Sequence, residues 1–259
     1  MPEIDLGSWK VNYEQIGAGQ DVLLIAGLAG DMQAWRPQVE DLAGRYRLTL
    51  FDNPGAGSSG VRNGSYGIDD LGDDTTHIMD RLGIASAHIV GRSMGGAIGL
   101  SMAIRHPDRV RSVTALSAFA KLSPYGQRIL SNWARVVASQ GWSEAAAHMP
   151  LFLFTPSEFE SSPEDVARLE ASLCNVRPES YARSNLACRE YDARPELSRI
   201  SCPVLAVVGE KDLLCPVECS EALAQGIPGS RLVVLPDAGH LLPVRNSGEV
   251  NRLIVDFIG

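Results

Sequence analysis

Ser93 lies in Gly91-Arg92-Ser93-Met94-Gly95, a G-x-S-x-G pentapeptide. In a chain with 25 glycines the pattern alone is weak, but its surroundings give it meaning. An apolar, strand-like run at residues 87–90 leads into it, and a helical pattern over Met94–Arg105 leads out. A strand-to-helix turn this sharp strains the serine and projects its hydroxyl at the helix N-terminus. Neighbours without side chains let strand and helix backbones approach. The chemistry that suits such a serine is nucleophilic attack on a carbonyl. The N–H groups of the helix terminus would stabilise the oxyanion that develops.

A serine hydroxyl needs a base to take its proton. Of the five histidines, His240 is best placed, because it follows Asp237-Ala238-Gly239 just beyond the strand-like run Arg231–Leu235. His77 and His148 fall within helical patterns, His88 within the strand feeding the turn, and His106 at a helix end before Pro107. All four read as structural. For the acid that orients the base, Asp212 in Gly209-Glu-Lys-Asp212 follows another buried-type strand. Glu210 and Asp237 are rivals, although Asp237 is close to His240 along the chain for a partner acting across a site. Loops at the carboxyl ends of parallel strands can bring such residues together.

A tetrahedral intermediate needs two aimed donors. The Met94 N–H, directly after the serine, is one. Gly27-Leu-Ala-Gly30 follows an early apolar run, and the Leu28 N–H is the expected second. Arg92 has two readings. It could bind a substrate carboxylate beside the nucleophile, or pair with Asp31 or Asp52 behind the turn. The pairing is the reading preferred from sequence.

The elements that must hold these residues are visible as alternating patterns. Strand-like runs occupy residues 9–16, 21–26, 47–51, 87–90, 111–116, 203–208 and Arg231–Leu235. Several are short, continuous and apolar, as strands buried on both faces are. Helical spacing runs over residues 69–82, Met94–Arg105 and 249–258. The alternation predicts an α/β fold with a mostly parallel central sheet flanked by helices.

Residues 119–197 break the alternation. Helical patterns at 125–139, 143–148, 163–174 and 178–188 predict a helical lid inserted between core strands, the core being 1–118 and 198–259. The segment carries Trp133, Trp142, Phe152, Phe154 and Phe159. Most of these should hold the lid to the body, with Trp133 and Phe154 the candidates for lining a substrate pocket.

The bulk numbers narrow the function classes. With 259 residues, 45% hydrophobic and 21% charged, the chain can bury a core without disulfides or metals. A formal charge of -8 makes nucleic acid an improbable partner. No apolar run approaches a membrane span, and residues 1–10 lack the basic and apolar regions of a signal peptide. Five cysteines, odd in number and all in the second half, suggest no disulfide framework, and a reducing cytoplasm is the simpler setting. Cys215 and Cys219 complete no zinc set.

These segments together resemble the α/β-hydrolase superfamily over nearly the whole chain. The matching pieces are Ile25-Ala-Gly-Leu-Ala-Gly30 with Trp35, Asp52-Asn-Pro-Gly-Ala-Gly-Ser58, Gly91-Arg-Ser-Met-Gly-Gly96, His106-Pro-Asp-Arg-Val110, Gly209-Glu-Lys-Asp212 with Pro216, and Asp237-Ala-Gly-His240. The order Ser93, Asp212, His240 is the order that superfamily uses. In style the chain is similar to the 3-oxoadipate enol-lactonase group. It is also similar to the aminoacrylate hydrolases of pyrimidine breakdown, through Pro150-Leu-Phe-Leu-Phe154 and Asp212-Leu-Leu-Cys-Pro216 with Cys219-Ser220. There are two departures. Ala26 stands where many members have histidine, and Arg92 where many have histidine or an aromatic.

The resemblance implies hydrolysis of a small-molecule carboxylic ester or lactone through an acyl-enzyme, with no metal or organic cofactor. Thioester, amide or carbamate cleavage, carbon–carbon hydrolysis and perhydrolysis could use the same three residues. A ligand receptor or non-hydrolytic scaffold is the competing class, since fold alone does not fix function. Retention of all three polar residues argues against it.

Overall fold

The computed structural model describes residues 2–259. Among the described residues eight strands form one sheet: β1 (Glu3–Asp5), β2 (Lys10–Ile16), β3 (Gln20–Ile25), β4 (Tyr46–Phe51), β5 (Ala87–Arg92), β6 (Val110–Leu116), β7 (Val204–Gly209) and β8 (Arg231–Leu235). Their order is β1-β2-β4-β3-β5-β6-β7-β8. β1 pairs with β2, and β2 with β4, antiparallel, and every pairing from β4 to β8 is parallel. Around the sheet run α1 (Arg36–Leu42), α2 (Ile68–Arg81) and α3 (Met94–Arg105). The helices α4 (Pro124–Gln140), α5 (Trp142–His148), α6 (Pro150–Leu153), α7 (Pro156–Ser161), α8 (Pro163–Leu173) and α9 (Pro178–Glu190) come next. The chain closes with α10 (Val217–Gly226), α11 (Leu242–Arg245) and α12 (Ser247–Ile258).

Successive strand residues face opposite sides of a sheet. Leu23 and Ile25 of β3 therefore join one core and Val22 and Leu24 the other, and β7 divides in the same way between Val204 and Ala206 on one side and Leu205 and Val207 on the other. One core packs α2, α3, α10 and the inserted helices, and the other packs α1 and α12. This double burial is why the strands read as unbroken apolar runs. β8 is the exception. It closes the sheet edge with Val234 40% exposed, so the Arg231–Leu235 run is not buried on both faces.

Helices α4 to α9 lie between β6 and β7. Proline begins α4, α6, α7, α8 and α9, where its missing N–H costs nothing and its fixed φ suits the first turn. Proline disfavours helix in the residue before it, and Ser123, Thr155, Ser162 and Arg177 are all non-helical ahead of Pro124, Pro156, Pro163 and Pro178, which cuts the segment into short pieces; Met149 before Pro150 stays helical, so α5 runs almost directly into α6. The two ends meet at the body. Ala193 N–H donates to the Ala120 carbonyl at 2.9 Å, and Lys121 Nζ lies 2.9 Å from an Asp192 carboxylate oxygen.

Candidate active site

Among the described residues four non-glycines have a left-handed backbone: Ala29, Ser93, Ser117 and Asp237, with φ of 59°, 54°, 48° and 57°. Each lies in a turn just beyond the carboxyl end of β3, β5, β6 or β8. Backbone strain of this kind is costly unless the surroundings impose it. Its concentration along one sheet edge marks that edge.

Ser93 (φ 54°, ψ −116°) is the turn residue between β5 and α3. Its N–H donates to the Leu116 carbonyl at 2.8 Å, fixing the turn to β6. The flanking glycines are needed sterically. A Cβ at Gly91 would lie 2.2 Å from the Gly95 carbonyl oxygen, and one at Gly95 would lie 2.0 Å from that of Ile25.

His240 and Asp212 form a buried pair. His240 Nδ1 lies 2.8 Å from Asp212 Oδ2, both residues being almost wholly shielded from solvent. Asp212 Oδ1 accepts from the Leu214 N–H at 3.0 Å and the Cys215 N–H at 2.9 Å, so the carboxylate is clamped by the start of the loop that leads to α10. The His240 N–H donates to the Leu153 carbonyl at 3.0 Å, tying the histidine loop to the inserted helices. A Cβ at Gly239 would meet that same carbonyl at 3.0 Å, which accounts for the glycine before the histidine.

The rival acids go elsewhere. Asp237 pairs with Lys211 at the surface, and Glu210 accepts from the Asp237 N–H. The other histidines have separate partners or face solvent. His88 bonds to Ser112 and Gln20, His106 to Asp73, His148 to the Glu144 carbonyl, and His77 is exposed.

The Gly27–Gly30 turn approaches the head of α3. Met94 is the first residue of that helix, so its N–H has no intrahelical acceptor. No hydrogen bond occupies the Leu28 N–H among the described residues. The turn is braced from below by Asn53, whose Nδ2 donates to the carbonyls of Ala26 at 3.0 Å and Gly27 at 3.1 Å. Asp52 anchors the same region by accepting from Met32 N–H, Ser58 N–H and Asn12 Nδ2. Sequence reasoning assigned Asn53 no role, although it lies within the Asp52-Asn-Pro-Gly segment.

The expected pairing of Arg92 with Asp31 or Asp52 does not occur. The three Asp52 contacts above use both its oxygens, and Asp31 accepts from the Gln33 N–H at 2.9 Å. No hydrogen bond or ion pair engages the Arg92 side chain among the described residues, although it is only 9% exposed.

A cavity of about 690 Å³ opens over Ser93 and His240. Its walls include Leu28, Arg92, Phe119, Trp133, Phe154 and Tyr181. Trp133 and Phe154 thus line it, while Phe152 stacks edge-on against Trp133 and Phe159 against Phe154. Trp142 packs on Tyr181. Tyr181 and Cys188 of α9 also reach the cavity and had no sequence signal, since α9 has no marked apolar stripe. The five cysteines are unpaired, and burial pushes the Cys215 thiol well up. Among the described residues no helix is long and apolar enough to cross a membrane, and no cluster of three metal-ligating side chains occurs.

A family model for the alpha/beta hydrolase fold matches residues 22–246. A provisionally named carbamate hydrolase, RutD, of Azorhizobium caulinodans is 30% identical over 261 residues, spanning 100% of this chain and 98% of its own. 3-Oxoadipate enol-lactonase 2 of Acinetobacter baylyi is 32% identical, spanning 94% and 91%. The crystal structure of the enol-lactonase from Burkholderia xenovorans is similar with a TM-score of 0.94, at 29% identity and 99% coverage of both chains. A thermophilic esterase from Thermogutta terrifontis gives a TM-score of 0.91, also at 29% identity, covering 100% of this chain and 98% of its own.

Proposed function

The chain belongs to the α/β-hydrolase fold family, and from that premise we propose that it cleaves a small-molecule carboxylic ester or lactone through an acyl-enzyme on Ser93. The observation that carries this is the strained Ser93 opening into the same cavity as His240, itself bonded to a buried carboxylate.

In this reading Asp212 accepts the Nδ1 proton of His240, which leaves Nε2 with a free lone pair. Nε2 takes the Ser93 proton as Oγ attacks the carbonyl carbon. The oxyanion is received by the Leu28 and Met94 N–H groups. His240 then gives its proton to the leaving oxygen, and the acyl group stays on Ser93. Water, deprotonated by the same Nε2, attacks the acyl carbonyl, and Ser93 recovers its proton as the acid departs. In a lactone the leaving oxygen stays attached to the acyl group, so one open-chain hydroxy or oxo acid is released. The inserted helices act as a lid whose aromatic walls select the group carried by the ester.

Carbamate cleavage is the second reading, favoured by the names of relatives such as that of Azorhizobium caulinodans. It uses the same attack, with nitrogen or oxygen leaving. A panel of p-nitrophenyl esters, lactones and carbamates separates the two. Within whichever class turns over, Ser93→Ala should lower kcat by about 10³-fold or more while the protein stays folded. Near wild-type turnover in folded Ser93→Ala protein overturns the proposal.

A further inference from the structure

A guanidinium has five N–H donors in a fixed planar fork and is almost always paired when buried. Arg92 is 9% exposed and uses none of its donors. Burial pushes its pKa down to about 10, so it remains a cation at neutral pH. The charge that pulls on it most is Asp212, whose oxygens are already taken by His240, Leu214 and Cys215.

The two structural duties open to it are filled by others. The carbonyls of Ala26 and Gly27 are held by Asn53, and Asp52 is satisfied by Met32, Ser58 and Asn12. The Arg92 nitrogens are nevertheless not sealed off, for the residue lines the cavity beside Ser93. Strand alternation puts Arg92 on the Val90 face of the sheet, the face of α1. Its guanidinium lies along the Gly27–Gly30 turn, where a Cβ on Gly27 would come within 3.1 Å of Nη2. The other arginines of this cavity are compensated: Arg36 by Glu14, and Arg168 by Asp165.

We propose that Arg92 is the specificity-determining residue of the site and that it binds a free carboxylate carried by the substrate. The natural substrate is then an ester or lactone of an acid with a second, ionised carboxyl group. The planar fork matches a carboxylate with two parallel hydrogen bonds. An unpaired cation held in a dry wall gains more from such a partner than a solvated one would. Hydrolysis yields a dicarboxylate from a diacid hemiester or from a lactone bearing a carboxyl group. The reaction that consumes the product must therefore accept a dianion. This inference rests on Ser93 being the nucleophile.

The test compares monomethyl succinate, glutarate and adipate with methyl esters of equal length ending in a primary amide. In wild-type protein kcat/KM should favour the acid-ended ester by about 10- to 100-fold at the best length. Arg92→Gln should abolish that ratio, and Arg92→Lys should keep part of it. In parallel, glutarate should slow fluorophosphonate labelling of Ser93 in wild type but not in Arg92→Gln. A wild-type ratio near one at every length, together with no protection by glutarate, overturns the proposal. So does an unchanged ratio in either folded variant. Should Arg92→Gln not fold, Arg92→Lys and the wild-type comparison decide. Failure of Ser93 to label in active wild-type protein would instead remove the nucleophile assignment itself.

Discussion

Replacing Asp212 with asparagine should separate orientation from folding. The carboxylate holds three partners: His240 Nδ1 at 2.8 Å on Oδ2, and the N–H groups of Leu214 and Cys215 at 3.0 and 2.9 Å on Oδ1. An asparagine in this place must turn its oxygen toward the two N–H groups, because its amide nitrogen would otherwise confront two donors. The amide nitrogen then faces Nδ1 and donates to it. Nδ1 loses its proton, Nε2 gains one, and the imidazole offers Ser93 a donor in place of a lone pair. The expected loss in kcat is about 10⁴-fold, or about 5 kcal/mol of transition-state stabilisation. The fold should survive, since every buried partner is still satisfied. Asp212→Ala differs, because it strands two backbone N–H groups, each costing about 1–3 kcal/mol when buried and unpaired. Steady-state rates on a p-nitrophenyl ester, read with Tm, give the pattern: Asp212→Asn slow with Tm near wild type, Asp212→Ala slow with Tm clearly lower. A folded Asp212→Asn protein within tenfold of wild type would refute the tautomer reasoning.

Asn53→Ala should lower kcat with KM little changed, by less than the roughly 10²- to 10³-fold cost of losing an oxyanion donor outright; an unchanged kcat would show that the Gly27–Gly30 turn holds itself. Trp133→Phe or Phe154→Leu should change the ratio of kcat/KM between short and long esters, where one methylene-sized contact is worth roughly 10- to 200-fold. An equal loss on all chain lengths, with lower Tm, would instead make these side chains purely structural. Asp192 is held low in pKa by the hydrogen-bonded Arg194, with Lys121 adding to the effect. A carboxylate depressed in the folded state contributes stability that is present above its unfolded value of roughly 3.9 and is lost as pH falls through the folded one. The Tm difference between wild type and Asp192→Asn should therefore be largest at neutral pH and close in strong acid; a gap that widens in acid contradicts the assignment.

The sheet was legible because parallel strands carry apolar residues on both faces, so β3, β5, β6 and β7 stand out as short unbroken runs. β1 is three residues long with a single buried side chain, too little pattern to read. α1 and α10 lack a readable pattern for a different reason. Seven residues of α1 hold two turns at most, and α10 buries Ser220 beside Cys219 and Leu223, so its inward face carries no continuous apolar stripe. Ser93, Asp212 and His240 each follow a strand, so their convergence on one edge could be foreseen from alternation alone. The partnership of Arg92 could not. Whether Asp31 and Asp52 are free depends on donors from Gln33, Met32, Ser58 and Asn12, contacts that have no signature in residue type or spacing. Likewise Asn53 braces a turn 26 residues earlier in the chain, a pairing that β3 lying beside β4 creates.

The most direct measurement is active-site labelling with a fluorophosphonate, followed by peptide mapping and residual activity on the same samples. An acyl-enzyme at Ser93 predicts one phosphonyl group per chain, located on the peptide containing Ser93, with hydrolysis falling in proportion to labelling. Full labelling of Ser93 with turnover intact, or complete inactivation with Ser93 unmodified, would contradict it.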